Sequence, residues 1–175
     1  MSRTKLARRI SLSVVVLIVI AIVGATFVGV SLVRRPFAQT SGDLVVSGMT
    51  SKVTVLRDDR GVPQIYADNA QDLFRAQGYV AAHDRFFEMD VRRHVTAGRL
   101  SEMVGSSGVQ TDRVIRTLGW RRVAEAELPT LAPSTRQYLQ AYADCVNAYI
   151  TKAGSPDNIG LEYTLLGQKF PGYRV

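Results

Sequence analysis

The sequence contains almost no cysteine, which excludes one common way of stabilising an exported fold. Cys145 is the only cysteine among 175 residues, so no disulfide can form within the chain. It lies among apolar residues in a helical pattern, which predicts a buried and unreactive thiol. Stability must therefore come from packing and hydrogen bonds.

Several motifs that would identify a reaction are also absent from the sequence. It contains no Gly-rich phosphate loop, no GxSxG nucleophile turn and no HExxH zinc motif. Asp90 and His94 are four residues apart and could share a helix face, but two ligands are too few for a closed metal site. The spacing favours a surface pair, and the residues alone identify neither a reaction nor a metal.

Acidic residues are missing from the chain before Asp43, and this explains the formal net charge of +7. Six of the 22 basic residues lie in this part of the chain, and the remaining 16 are matched by 15 acidic residues. Such a balanced surface has no basic stripe to engage phosphates, which excludes a nucleic-acid partner. The six are Arg3, Lys5, Arg8, Arg9, Arg34 and Arg35.

These basic residues flank an uncharged apolar run at 10–33. As a helix, a run of this length spans roughly 36 Å, enough to cross a hydrocarbon core of about 30 Å. Residues 1–35 are therefore predicted to be a cytoplasmic basic leader followed by a transmembrane signal-anchor helix. A cleaved signal peptide is the alternative, since Val23, Gly24 and Ala25 form a small-residue cleavage site before Thr26. Both interpretations place the rest of the chain outside the cytoplasm, either anchored or secreted.

Residues 36–51 are interpreted as a polar tether, in which 44–46 could form a short strand. A β-hairpin is predicted next, because alternating residues from Val53 lead into turn residues at 58–61. Pro63 lacks a backbone donor and suits the start of an edge strand.

A long helix is predicted after Asp68 or Asn69, either of which can cap it, and Gly98 is a natural stop. The carboxylates of this helix alternate with arginines, so a solvated or ion-paired face is favoured over a carboxylate pair for acid–base catalysis. These carboxylates are Asp84, Glu88 and Asp90. The apolar stripe of the helix comprises Leu73, Ala76, Val80, Phe87 and Val91.

Two further helices are predicted. Asp112 could cap one that runs to about Leu128 and is weakened at Gly119, and Pro133 opens another. Trp120 and the tyrosines are interpreted as core or helix-contact residues. The residues thus predict an α+β fold with a hairpin and three or more amphipathic helices. The stripe of the last helix is Leu139, Tyr142, Val146 and Ile150, and Gly154 ends it.

Three segments carry a family resemblance: RDxxGVPxIYA at 57–67, DLFxAQGYVxAxDRFFxMxxRR at 72–93 and GRLSExxG at 98–105. Together they resemble the start of the penicillin acylase (penicillin amidase) family of N-terminal-nucleophile hydrolases. Gln64, His83 and Cys145 depart from the residues frequent in that family. The matched residues expected to be structural, not catalytic, are Arg57, Asp58, Gly61, Pro63, Asp72, Gly78, Asp84, Arg85, Arg92, Gly98 and Glu102.

The resemblance implies that residues 52–175 are an incomplete α-chain domain of an αββα sandwich, cut from a self-processing zymogen. The nucleophile would be a serine at the start of the β chain, with its own α-amino group as base. No catalytic or metal-binding residue is then expected in this chain, its substrate-binding residues are unknown, and no cofactor is expected in it. Calcium would belong only to the full-length protein.

The implied partners are the membrane, the missing β-chain portion of the same precursor and a small acyl-amide substrate, as in β-lactam deacylation during antibiotic biosynthesis. Acylases of acyl-homoserine lactones, cephalosporins and lipopeptides share these motifs. The alternative from another class is a noncatalytic, membrane-anchored truncated product or helical interaction module. The chain by itself is expected to be inactive.

Overall fold

A computed structural model describes residues 3–34 and 40–167, with side chains from Leu12 onward. Part of the proposed tether, 36–39, and the end of the proposed domain, 168–175, lie outside the described residues. The chain divides into two compact units, residues 1–37 and 38–175.

The described part of the first unit is a single helix, α1, which spans Arg3–Arg34. Its stretch Leu12–Arg34 has 23 residues with a mean hydropathy of 2.8, and the most apolar part of this stretch contains no buried residue. The helix is thus long and apolar enough to cross a membrane, by length and composition. A signal sequence near the amino terminus has the same properties, so both interpretations of this segment remain predictions.

The second unit begins with the expected hairpin, in which strands β1 (Thr54–Arg57) and β2 (Pro63–Tyr66) pair in antiparallel fashion. Asp58 closes the turn, because its Oδ1 accepts hydrogen bonds from the backbone N–H groups of Arg60 at 2.9 Å and Val62 at 2.8 Å. Gly61 has φ +77°, which favours glycine. The hairpin prediction is confirmed.

Residues 44–46 do not form a strand, so that part of the sequence interpretation is wrong. Their backbone joins no sheet ladder among the described residues. The apolar side chain of Val46 packs against the core of the unit.

The long helix α2 spans Ala70–Thr96 and is capped by Asn69, whose Oδ1 accepts from the Asp72 backbone N–H at 2.8 Å. The predicted stripe is out of phase with the buried face: Leu73 is 37% exposed, and of the five stripe residues only Ala76 is fully buried. The inward face carries three polar side chains, and two of them, Asp90 and His94, were predicted to lie on the surface, so that prediction is wrong. Its buried residues are Asp72, Ala76, Gly78, Tyr79, Ala82, Phe86, Asp90 and His94.

Five more α-helices follow in the described part of the chain. The predicted helix at 112–128 is two helices, because Gly119 adopts φ +73° between them. The second of these has no buried residue, and Trp120 is 49% exposed, so of its two predicted placements, core or helix contact, the core placement is wrong. The helices are α3 (Ser101–Val104), α4 (Val109–Leu118), α5 (Trp120–Glu127), α6 (Pro133–Ala153) and α7 (Leu161–Leu166).

The core forms where α2 packs against α6. A Cβ atom at Gly78 would lie 2.2 Å from the Tyr142 carbonyl oxygen, so only glycine permits this approach of the two backbones. Cys145 is 1% exposed and burial raises the pKa of its thiol, which confirms the expectation of a buried cysteine. Leu139, by contrast, is 50% exposed, so the predicted stripe of α6 is only partly inward-facing.

Candidate functional site

The family-like motifs meet where the end of the hairpin reaches the middle of α2. The Arg57 guanidinium donates to both carboxylate oxygens of Asp84, from Nη2 at 2.7 Å and from Nη1 at 2.9 Å. The Arg57 Nη1 also donates to the Gly61 carbonyl at 3.0 Å, and His83 Nδ1 lies 3.1 Å from Asp84 Oδ1. One arginine thus connects the hairpin turn with the long helix.

The electrostatics of this pair favour the charged forms of both groups. The hydrogen bond to Asp84 raises the pKa of Arg57 despite partial burial. Burial acts to raise the pKa of Asp84, but hydrogen bonds from Arg57 and His83 outweigh it and hold that pKa below its ordinary value. A carboxylate kept ionised in this way is suited to positioning a cation, and unsuited to donating a proton near neutral pH.

A cavity of about 490 Å³ lies beside this pair. Tyr79 and His83 of α2 line it, and an edge-on contact of 5.6 Å between ring centroids packs Tyr79 against Tyr149 of α6. Its other walls are the segment 40–46 and the side chains of Val53, Val55 and Arg57. The volume is in the range of small-molecule pockets.

A second polar cluster holds the segment before the hairpin against the start of α2. The buried Asp72 carboxylate accepts from the backbone N–H groups of Thr50 at 3.1 Å and Ser51 at 2.9 Å, and from both hydroxyls. The Asn69 side-chain amide donates to it at 2.8 Å. These bonds, led by the Thr50 hydroxyl, hold the pKa of Asp72 far below its ordinary value. We call Thr50, Ser51, Asn69 and Asp72 the Asp72 clamp.

Asp90 and His94 form a pair, as their spacing indicated, but the pair is buried and does not lie on the surface. Asp90 is 3% exposed and its Oδ1 is 2.8 Å from His94 Nδ1. The hydroxyl of Tyr163 in α7 donates to Asp90 Oδ2 at 2.8 Å. The prediction that the tyrosines are core or helix-contact residues is confirmed for Tyr163, which is 2% exposed, but its bond to Asp90 was not predicted because the two lie 73 residues apart.

The Asp112 carboxylate holds the GRLSE loop. It was predicted to cap its own helix, and that prediction is wrong. Helix α4 already begins at Val109, and the Asp112 carboxylate accepts from the backbone N–H groups of Leu100 at 2.6 Å and Ser101 at 2.9 Å. It therefore satisfies free donors at the start of α3. Glu102 pairs with Arg99 at 2.6 Å in the same loop.

Three further residues that were predicted to be structural, Arg85, Arg92 and Gly98, make fewer contacts with other segments. Arg85 lies at a break in the helical backbone of α2, with φ −151° and ψ 37°. No side-chain hydrogen bond or ion pair joins Arg85 to another described residue, so its structural role stays a prediction. Arg92 pairs with Glu88 at 2.8 Å on the surface of α2, and Gly98 takes φ +66° just after that helix.

Among the described residues, these arrangements position backbone and side chains. The thiol of Cys145 is buried, the hydroxyl of Ser101 donates to Asp112, and each imidazole lies against a carboxylate. The described residues contain no group of three His, Cys, Asp or Glu side chains arranged to hold a metal ion.

Comparison with known proteins identifies the second unit. The family model described as "Penicillin amidase" matches residues 52–175. The chain is 36% identical over 127 residues to the penicillin acylase 2 proenzyme of Pseudomonas sp. (strain SE83), and this covers 73% of the chain. It is 38% identical over 106 residues, 61% of the chain, to penicillin G acylase of Escherichia coli. Against the acyl-homoserine lactone acylase QuiP of Pseudomonas aeruginosa it is 36% identical over 111 residues, 63% of the chain.

The matched region is a small part of each of these relatives, since it spans only 16%, 12% and 13% of their respective lengths. Among solved structures, a thermostable penicillin G acylase from Alcaligenes faecalis superimposes with a TM-score of 0.63 at 27% identity. The superposition covers 72% of this chain and 67% of that chain.

Proposed function

The chain belongs to the penicillin amidase family, and we propose that it is the amino-terminal portion of an acylase-type amide hydrolase. The observation that carries the proposal is the family match over 52–175, together with the position of the motif residues at the junction of hairpin and α2. In this proposal the chain supplies scaffold and the reacting groups come from polypeptide that follows residue 175. The αββα sandwich would be completed by that polypeptide.

The chemistry we propose is the attack of an amino-terminal serine hydroxyl on an acyl amide. The free α-amino group of that serine titrates near pH 7.7 to 8, so at neutral pH a useful fraction is unprotonated and can take the hydroxyl proton. Such a nucleophile arises only by cleavage of a precursor. One of the relatives is a proenzyme by name.

The substrate class we propose is small acyl amides. The relatives' names include penicillin acylases and acyl-homoserine lactone acylases, both of which act on an acyl group attached to nitrogen. An assay of the complete enzyme on both kinds of substrate decides between penicillins and acyl-homoserine lactones. We propose a bound calcium ion only for the complete protein, and none for this portion of it.

We also propose that α1 directs export and remains as a membrane anchor, with the catalytic unit outside the cytoplasm. The length and hydropathy of Leu12–Arg34 support this proposal. Amino-terminal sequencing of protein extracted from membranes tests it. A mature start near Thr26 would replace the anchor by a cleaved signal peptide.

The experiment that tests the activity is expression of the full-length gene, followed by assay on chromogenic phenylacetyl, glutaryl and fatty-acyl amides. We expect two chains, the longer beginning with serine, and turnover that is lost when this serine is replaced by alanine. An unprocessed product without turnover on any amide would refute the proposal and favour a noncatalytic interaction module. So would turnover by residues 1–175 alone that depends on a nucleophile within them.

A further inference from the structure

The cavity beside the Arg57–Asp84 pair is lined by a histidine whose hydrogen bond fixes its tautomer. The pKa of Asp84 lies below its ordinary value, so the carboxylate is ionised and can only accept hydrogen bonds. His83 Nδ1 lies 3.1 Å from Asp84 Oδ1, so this nitrogen carries a proton and donates to the carboxylate. In the neutral ring the second nitrogen, Nε2, is therefore a hydrogen-bond acceptor.

This acceptor is not used by the described residues. None of them donates to His83 Nε2, although the side chain is only 10% exposed. The nitrogen is nevertheless not sealed from solvent, and His83 lies on the lining of the cavity. A ligand N–H or O–H group is the chemical complement of such an acceptor.

The charged residues around the cavity balance one another, which favours an uncharged ligand. Asp84 neutralises the Arg57 guanidinium through two hydrogen bonds. Lys52 and Asp43 contribute one charge of each sign to the lining, and both are exposed. The Lys52 ammonium forms no ion pair or hydrogen bond with another described residue, so its N–H groups are available to a ligand carbonyl.

Much of the remaining lining is apolar. Ala76 and Tyr79 of α2 contribute to it and are 4% and 7% exposed, and Val46 and Met49 line it from the preceding segment. The cavity has a volume of about 490 Å³, which accommodates an aromatic ring or a short alkyl chain. Its walls therefore suit an apolar group, and its polar atoms suit one N–H donor and one carbonyl acceptor.

We propose that this cavity binds a small, uncharged amide with an apolar acyl group. The amide N–H donates to His83 Nε2, the carbonyl oxygen accepts from Lys52, and the acyl group packs against Met49 and Tyr79. The inference assigns a binding site and no reaction. It does not rest on the proposed function, because every group that it uses lies among the described residues.

Modification of His83 by diethyl pyrocarbonate in the full-length gene product tests the proposal, because this reagent attacks an unprotonated imidazole nitrogen. Trypsin releases His83 in the peptide 76–85 and His94 in the peptide 94–99, so mass spectrometry follows the two histidines separately. His94 is buried against Asp90 and serves as the internal reference. The ligand used as probe is phenylacetamide. Its concentration is checked after each reaction, because the complete enzyme is proposed to hydrolyse acyl amides.

We expect about 10 mM phenylacetamide to slow the modification of His83 at least about fivefold in the native protein and to leave His94 unaffected. N,N-dimethylphenylacetamide keeps the ring and the carbonyl but has no N–H, so it should protect His83 less than about twofold. Neither compound should protect in denaturant. Equal protection by the two amides would overturn the proposal, as would a His83 that does not react in the native protein without ligand, since another part of the polypeptide would then fill the cavity.

Charged compounds with the same ring test the preference for an uncharged ligand. Phenylacetate and phenethylamine carry one negative and one positive charge, and each would bring an unpaired charge into an apolar site. We expect either compound to protect His83 less than about twofold at the concentration used for the amide. Stronger protection by one of them than by phenylacetamide would overturn the proposal.

Two matched variants test the donor to the carbonyl. Lys52→Met removes the ammonium from the lining, and Arg60→Met removes the same charge from the hairpin turn outside the cavity; both positions are exposed. We expect half-protection of His83 to require at least about threefold more phenylacetamide in Lys52→Met and an unchanged amount in Arg60→Met. Equal effects of the two substitutions would contradict the assigned contact. Protection without turnover supports the site and refutes the proposed function, whereas turnover without protection does the reverse.

Discussion

Two hydrogen bonds of 2.7 and 2.9 Å connect Arg57 and Asp84, and they join the end of β1 to the middle of α2. The side chains are 19% and 18% exposed, so solvent screens the pair only in part. Lysine cannot reproduce this two-point contact because its ammonium is a single point charge.

We therefore predict that Arg57→Lys lowers the free energy of unfolding by about 1–3 kcal/mol. The matched control is Arg92→Lys, because the Arg92–Glu88 pair is 76% and 52% exposed and should contribute at most about 0.5 kcal/mol. Urea unfolding of both variants measures the difference. Equal destabilisation by the two substitutions would contradict a special role for Arg57.

The Asp72 clamp gives a prediction with a defined pH dependence. Asp72→Asn replaces an acceptor that five donor groups approach, so we expect a loss of at least about 3 kcal/mol at pH 7. Asp68→Asn, at an exposed position outside the clamp, is the control and should stay within about 0.5 kcal/mol.

Because the hydrogen bonds lower the pKa of Asp72 in the folded state, its contribution is fully present above the unfolded pKa near 3.9. The difference between wild type and Asp72→Asn should be constant from pH 7 to about pH 4.5 and shrink below about pH 4. Unfolding midpoints at several pH values measure it. A difference that already declines between pH 7 and 5 would contradict the assigned direction of the shift.

Gly78→Ala tests the close approach of α2 and α6. The added methyl group would meet the Tyr142 carbonyl oxygen at 2.2 Å, and a backbone atom cannot move aside without shifting its helix. We expect a loss of about 3 kcal/mol or more, at the upper end for an overpacked core. The neighbouring Gln77 is exposed, and Gln77→Ala should be nearly neutral or slightly stabilising. Thermal unfolding of the pair, followed by circular dichroism, provides the comparison.

Tyr163→Phe removes a hydroxyl and leaves the ring. Asp90 then loses one hydrogen bond in a buried position, which should cost about 1–3 kcal/mol. Tyr138→Phe is the control, since its ring stacks on Phe74 at 4.9 Å and the substitution retains that contact. If the two phenylalanine variants unfold at the same urea concentration, the Tyr163–Asp90 bond contributes no net stability.

Local signals in the sequence were sufficient for the hairpin and for several helix boundaries. The turn residues at 58–61, the Asn69 cap and the glycines at 98, 119 and 154 mark boundaries that the structure has, because each depends on the chemistry of a few neighbouring residues. The family resemblance was likewise confirmed by the match at 52–175.

Tertiary contacts were harder to predict from the sequence, and the buried face of α2 shows the reason. The sequence analysis placed Asp90 and His94 on the surface, so the predicted stripe was rotated away from the face that is buried. Asp72 and Asp90 are buried on that face because partners outside the helix satisfy their carboxylates. Those partners lie 21 and 73 residues away in the sequence. The exposure of Trp120 could not be predicted from its neighbours in the sequence either. A large apolar side chain predicts burial, and the sequence does not say which surface would cover it.

The Asp72 clamp contains no residue of the apolar helix α1. The contacts that bind residues 50–51 to α2 all lie downstream of the small-residue cleavage site at Val23, Gly24 and Ala25. Removal of the leader would therefore leave every bond of the clamp in place. A membrane-retained form and a released form of the protein would share one folded unit, and a change in signal processing alone could move the same unit between the membrane surface and the surrounding fluid.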